Sequence, residues 1–115
     1  MSFEQAGTPE ISAREAVEVA GAGGFLLDVR EQHEWDAGHA PDAHLVPMSM
    51  IESRADELPA DERILVMCHS GARSARVTMA LLAAGYDAVN VAGGMLAWHA
   101  AGGDVVSDGP DAPRV

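Results

Sequence analysis

Short apolar runs alternate with amphipathic segments along this chain. Three runs predict buried strands, over residues 25–29, 64–67 and 88–91. The run 64–67 is apolar at all four positions, as strands of parallel sheets are when both of their faces are covered. A loop over residues 42–46, between two prolines, is expected to lead into a further brief strand.

Two of the segments between these runs have clear helical patterns. Ser12 and Glu15 have the spacing of a capping box, in which each side chain satisfies a free N–H group at a helix start. Apolar residues at positions 77, 80, 81 and 84 share one face of a helix. They predict a helix over residues 74–84, with Gly85 ending it.

The remaining segments have weaker patterns. Ser49 is predicted to cap a short helix over residues 50–58, which Pro59 would end. A last helix is expected at about residues 95–101, and one helical turn within the polar stretch 30–39.

Strands that alternate with helices at this spacing predict an α/β fold. We expect a doubly wound domain with a mostly parallel sheet of four to five strands, flanked by helices. The domain is expected to cover residues 8–106, with flexible ends at 1–7 and 107–115. In such sheets, binding sites form beyond the carboxyl ends of the strands. Cys68 and Arg30 both follow predicted strands, so we expect them at that edge.

Composition narrows the possible functions. The 115 residues have a formal net charge of −11, and all seven basic residues are arginines. This balance argues against nucleic-acid or acidic-membrane partners. The first 25 residues contain four glutamates and no long apolar stretch, which predicts neither a signal peptide nor a membrane span. One cysteine allows no internal disulfide, so the cytoplasm is the default location.

The five histidines raise the question of a metal site. His33, His39 and His44 are close in sequence, but no neighbouring Cys or His completes the spacing of a known site. No metal and no cofactor are therefore expected.

The only cysteine, Cys68, lies between a predicted strand and a predicted helix. Backbone N–H groups of a tight turn and of a helix start converge on the first turn residue, which here is a thiol. Gly71 permits a sharp turn, and Ser74 is expected to cap the helix and offer its hydroxyl to the site. Arg73 and the helix terminus are expected to lower the thiol pKa from about 8.5, at which only about 3% is thiolate at pH 7. The alternative is an inert cysteine in the core, which would need no such anion-binding turn.

Three segments together resemble the rhodanese-like domain family. Residues 68–74 are similar to its active-site loop, C-x-x-G-x-R-[ST]. Residues 27–30 with 34–43 resemble its D-V-R…E-[YW]-x-x-G-H-I-P-G-A signature, and residues 91–98 resemble its closing G-G…W motif. The chain departs from the second motif at Ala40 and Asp42, where the family has a larger aliphatic residue and a glycine.

The resemblance implies a sulfurtransferase that carries a persulfide on Cys68. The sulfur would come from a donor such as thiosulfate or a persulfide and pass to cyanide or a thiol, in a double-displacement reaction. Arg73 would close the loop and stabilise the anionic adduct, while the N–H groups of residues 69–73 would cradle the outer sulfur. Asp28 and Arg30 would hold the loops together as an ion pair. The loop residues carried over are Cys68, His69, Ser70, Gly71, Ala72, Arg73 and Ser74.

Some assignments stay open at this stage. His69 and Ser70 would face the entrance and select the donor, although His69 is equally compatible with a solvated loop residue. The protein could instead be a persulfide carrier or interaction module that works with a sulfur-relay protein. A small phosphatase or arsenate reductase is disfavoured, because such relatives have one more residue in the loop than the six from Cys68 to Arg73.

Overall fold

The computed structural model describes residues 7–115 of the chain as an α/β domain built on one parallel sheet. Its five strands follow the order β1-β5-β4-β2-β3, and all four neighbouring pairs are parallel. The strands are β1 (Glu10–Ile11), β2 (Phe25–Asp28), β3 (His44–Leu45), β4 (Ile64–Met67) and β5 (Ala88–Val91). The helices are α1 (Ala13–Gly21), α2 (Gln32–Ala37), α3 (Ala72–Ala83) and α4 (Gly94–Ala100). The predicted fold class is confirmed.

The central strand β4 is buried on both faces, which explains its unbroken apolar run. Leu65 and Met67 pack on one face in a core that includes buried residues of α1 and α4. Ile64 and Val66 point to the other face, where Val77 and other residues of α3 cover them. Successive side chains of the strand therefore point in turn into two apolar layers, one on each face of the sheet.

The N-terminal helix begins after the predicted cap residue, Ser12, with one of the two hydrogen bonds of the predicted capping box. The Ser12 hydroxyl oxygen accepts a hydrogen bond from the Glu15 backbone N–H at 3.1 Å, which satisfies one free donor of the first turn. Immediately before this helix, β1 pairs with β5 at the sheet edge. No strand was predicted at Glu10–Ile11, and of the flexible end predicted at residues 1–7, residues 1–6 lie outside the described part of the chain. A two-residue strand gives no periodic pattern from which it could have been predicted.

The helix predicted over residues 50–58 is wrong. Two short 3₁₀ turns, Met48–Met50 and Ala55–Glu57, take its place. Arg54 leaves the helical region and donates to the Leu45 carbonyl and to the Glu57 carboxylate. A nine-residue segment gains little from helix formation by itself, so these tertiary contacts decide its backbone.

The C-terminal segment, residues 102–115, runs back over α2. Val106 and His39 exchange backbone hydrogen bonds of 2.8 and 2.9 Å. Further along, the Asp108 N–H donates to the Asp36 carbonyl at 3.0 Å and the Arg114 N–H to the Ala37 carbonyl at 2.9 Å. The domain limits of 8–106 and the flexibility expected for residues 107–115 stay predictions. The backbone hydrogen bonds of Asp108 and Arg114 to α2 would oppose such flexibility.

Candidate active site

The predicted site lies at the carboxyl end of the sheet. Cys68 directly follows β4, and the loop it opens runs into α3. Arg30 follows the neighbouring strand β2, and Asp28 is the last residue of that strand. The structure therefore brings the two predicted groups of residues to the same edge, as parallel pairing of β2 with β4 requires.

The loop folds so that two donors converge on the Cys68 thiol. Gly71 has φ +111°, a left-handed conformation that glycine adopts without strain, and it is the N-cap of α3. Its N–H donates to Cys68 Sγ at 3.1 Å, and the Ser74 hydroxyl donates to the same sulfur at 3.2 Å. Ser74 was predicted to cap the helix, which is wrong. It lies within the first turn, where its side chain is free to bind the sulfur.

The first turn of α4 is hydrogen-bonded to the backbone of the Cys68 loop. The Met95 N–H donates to the Cys68 carbonyl at 2.8 Å and the Leu96 N–H to the His69 carbonyl at 3.2 Å. Gly94 has φ +56°, and a Cβ atom there would collide with both carbonyl oxygens. The close approach of the two backbones therefore needs glycine at this position, which gives a physical reason for the paired glycines of residues 93–94.

The surroundings of Cys68 lower its pKa. Only 1% of the residue is exposed, and this burial is the largest single influence and raises the pKa. The hydrogen-bonded Ser74 hydroxyl and the nearby backbone N–H groups of Ser74, Gly71 and Ser70 act in the opposite direction, and together they outweigh the effect of burial on the pKa. The net result is a thiol that ionises more readily than a free cysteine.

Arg73 does not carry an unpaired charge. It forms a two-pronged ion pair with Glu34 of α2, with N–O distances of 2.7 and 2.9 Å. The hydrogen bond from Arg73 holds the pKa of Glu34 at about 2, although partial burial opposes this shift. Glu34 was not predicted as a site residue. Its partner is 39 positions away along the chain, so only the fold reveals the pair.

Asp28 and Arg30 form the expected ion pair. Arg30 is 1% exposed and donates from Nε to Asp28 Oδ1 at 3.0 Å and from Nη2 to Oδ2 at 2.8 Å. The same Nη2 donates to the Gly38 carbonyl at 2.8 Å. The pair therefore joins the end of β2 to the end of α2.

The remaining predicted residues lie around the loop. Ser70 and Ala72 are exposed, and His69 is half-buried. Asn90, which was not predicted as a site residue, is a 2% exposed residue of β5 whose amide donates to the Gly71 carbonyl at 3.2 Å. A polar residue inside the apolar run 88–91 was the available signal for it.

No group of three or more His, Cys, Asp or Glu residues is arranged to hold a metal within residues 7–115. In the same part of the chain, no helix has the length and apolarity needed to cross a membrane.

Comparison with known proteins places the chain among sulfur-handling relatives of different sizes. The Allochromatium vinosum protein named "Sulfurtransferase" is 39% identical over 84 residues, covering 72% of this chain and 78% of that protein. The probable adenylyltransferase/sulfurtransferase MoeZ of Mycobacterium tuberculosis is 42% identical over 76 residues, 64% of this chain but only 19% of MoeZ. The putative sulfur carrier protein YrkF of Bacillus subtilis is 38% identical over 74 residues, 64% of this chain and 40% of YrkF.

Solved structures agree with this placement. A rhodanese-related protein from Thermoplasma volcanium superposes with a TM-score of 0.79 at 32% identity, over 85% of this chain and 97% of that one. The model of the family described as "Rhodanese-like domain" matches residues 12–101. The resemblance carried by the three sequence motifs is thus confirmed, and the chain belongs to the rhodanese-like domain family.

Proposed function

We propose that this protein is a sulfurtransferase that carries a persulfide on Cys68. Family membership and the sulfurtransferase names of its relatives support sulfur transfer in general. The observation that carries the proposal is the convergence of the Gly71 N–H and the Ser74 hydroxyl on the Cys68 sulfur, at 3.1 and 3.2 Å. A buried thiolate with two such donors is a stabilised nucleophile.

With thiosulfate as donor, the reaction has two displacements. The Cys68 thiolate attacks the sulfane sulfur, a Cys–S–S bond forms, and the S–S bond of thiosulfate breaks, so that sulfite leaves with the electron pair. A thiolate or cyanide then attacks the outer sulfur, and the Cys68 thiolate is the leaving group. The same two donors stabilise the thiolate before the first step and as it departs in the second.

The other residues support this chemistry by position. The Arg73–Glu34 pair fixes the guanidinium at the end of the loop, where it can stabilise an anionic adduct. The buried Asp28–Arg30 pair is a positioning element that holds α2 against the loop edge. A reduced thiol suits the cytoplasm, which is the location we propose.

The direct test is intact-mass analysis after incubation with thiosulfate. We expect an adduct of about 32 Da, one sulfur atom on the reactive thiolate. Because Cys68 is the only cysteine, Cys68→Ser is the matched control and should gain no mass. A wild-type protein without the adduct, or an adduct that survives in Cys68→Ser, would refute the proposal.

A carrier role is the second candidate, supported by the similarity to YrkF, which is named a putative sulfur carrier protein. In this case a partner protein would load the persulfide, and small donors would react slowly. Efficient loading by a cysteine desulfurase with negligible thiosulfate:cyanide turnover would favour it.

Phosphatase or arsenate reductase activity is the third and least favoured, because of the six-residue span from Cys68 to Arg73. Hydrolysis of an aryl phosphate that disappears in Cys68→Ser would favour it over sulfur transfer.

A further inference from the structure

A cavity of about 300 Å³ lies between α2 and the Cys68 loop. His69, the residue next to the nucleophile, lines it on one side, and Arg30 and Glu34 line it on another. The last two residues of the C-terminal segment, Arg114 and Val115, complete its wall. These two lie beyond residues 12–101, the part of the chain that matches the family, so the family motifs do not account for their presence.

The path of the C-terminal segment is fixed at several points. Its backbone hydrogen bonds to His39, Asp36 and Ala37 carry it along α2 to the cavity. Gly38 packs directly under the Arg114 carbonyl, and a Cβ atom at Gly38 would collide with it. Gly38 has an extended φ of 177°, so any residue could adopt this backbone, but the close approach of the Arg114 backbone leaves no room for a side chain here.

Besides Arg114, the charged side chains that line the cavity are Arg30 and Glu34, and both are paired; the histidines His33 and His69 complete the polar lining. Arg30 is neutralised by Asp28, and Arg73 by Glu34. Within residues 7–115, Arg114 forms no ion pair. Because the chain has a net charge of −11, the positive charge of Arg114 in the wall of this cavity would favour an anion locally, although its exposure lets salt screen the effect.

We propose that Arg114 is a specificity-determining residue that binds the terminal oxyanion of the sulfur donor in this cavity. The inference rests on the sulfurtransferase function proposed above. Small sulfur donors present their oxyanion as a sulfonate, in thiosulfate, or as a carboxylate, in mercaptopyruvate. A planar guanidinium donates two parallel hydrogen bonds to either group and so orients the sulfur end of the donor towards the loop.

The first experiment needs no sulfur transfer. Cys68 is the only cysteine, so its alkylation by anionic iodoacetate and by neutral iodoacetamide can be followed by mass. Arg114→Gln should lower the ratio of the iodoacetate rate to the iodoacetamide rate by about threefold at low salt, and less at high salt. Arg114→Lys should keep most of the ratio.

Two further variants separate charge at the cavity from charge in general. Arg14→Gln removes an exposed arginine of α1 that forms no ion pair within the same described range, and it should leave the ratio unchanged. Gly38→Ala keeps every charge but displaces Arg114, and it should lower the ratio as Arg114→Gln does. Equal ratios in Arg114→Gln and Arg14→Gln would overturn the inference.

The second experiment measures sulfur loading. With thiosulfate, Arg114→Gln should raise KM by at least about threefold with little change in the limiting rate, and the same comparison with mercaptopyruvate shows which oxyanion depends more on Arg114. If wild type forms the persulfide and Arg114→Gln loads from both donors with unchanged KM, the inference fails while the proposed function stands. If wild type takes sulfur from neither donor, both fail.

Discussion

Replacing Ser74 with alanine removes the side-chain donor that contributes most to lowering the Cys68 pKa. Its hydroxyl lies 3.2 Å from Sγ, and both residues are almost fully buried, so water cannot replace the lost hydrogen bond easily. A hydrogen bond to a charged group contributes about 1.5–3 kcal/mol, which corresponds to about one to two pH units. The midpoint of Cys68 ionisation should therefore rise by this amount in Ser74→Ala.

The assay is the rate of iodoacetamide alkylation as a function of pH, with the single cysteine as reporter. The midpoint is the informative quantity, because a thiolate of higher pKa is also intrinsically more nucleophilic and partly masks the lower thiolate fraction in the rate at any one pH. Ser70→Ala is the matched control. Ser70 acts on the thiol through its backbone N–H, which alanine retains, so its midpoint should stay near that of wild type.

A Ser74→Ala protein that is folded and keeps the wild-type midpoint would refute this reasoning. It would mean that the backbone N–H groups of the loop are sufficient to hold the thiolate. A midpoint that rises equally in both variants would instead indicate general disturbance of the loop.

Three further substitutions test the residues that hold the Cys68 loop in place. Arg73→Ala should raise the Cys68 pKa, because the thiolate loses a nearby positive charge, and should slow sulfur uptake at least about tenfold. It should also lower stability at neutral pH, because it removes the partner of Glu34. An unchanged alkylation profile in the folded variant would show that the backbone dominates. Glu34→Gln should flatten the dependence of stability on pH below about 4.5. The ion pair that holds the Glu34 pKa at about 2 stabilises the fold fully above pH 4.5 and loses this effect as the pH falls towards 2. Urea unfolding of both proteins at pH 3 and 7 measures this, and an equal loss of unfolding free energy between the two pH values in both proteins would contradict it. Gly94→Ala should destabilise the protein by at least about 1 kcal/mol and slow alkylation, because its Cβ would collide with two loop carbonyls at a left-handed φ, whereas Gly109→Ala, with open space around it, should do neither.

The parts of the fold that could be predicted are those with strong local patterns. The run Ile64–Met67 and the helical spacing in α3 are set by burial of contiguous residues, so the sequence alone indicates them. The β1 strand and the 3₁₀ turns depend on partners elsewhere in the chain, so no local sequence pattern indicates them.

The site shows the same division. The loop motif predicts the nucleophile and the residues around it, because their spacing is local. It does not show that Ser74 lies within α3, that Glu34 pairs with Arg73, or that Arg114 reaches the cavity. Each of these contacts depends on how separate elements pack together.

The attachment of α4 to the loop implies that the site is oriented before any substrate arrives. The Met95 and Leu96 amides fix the carbonyls of Cys68 and His69, so the peptide dipoles around the sulfur have no freedom to turn away. Such preorganisation removes the reorientation that water would undergo around a forming anion. Hydrogen exchange at these two amides would then report on thiol reactivity, since each opening of α4 releases the dipoles that favour the thiolate.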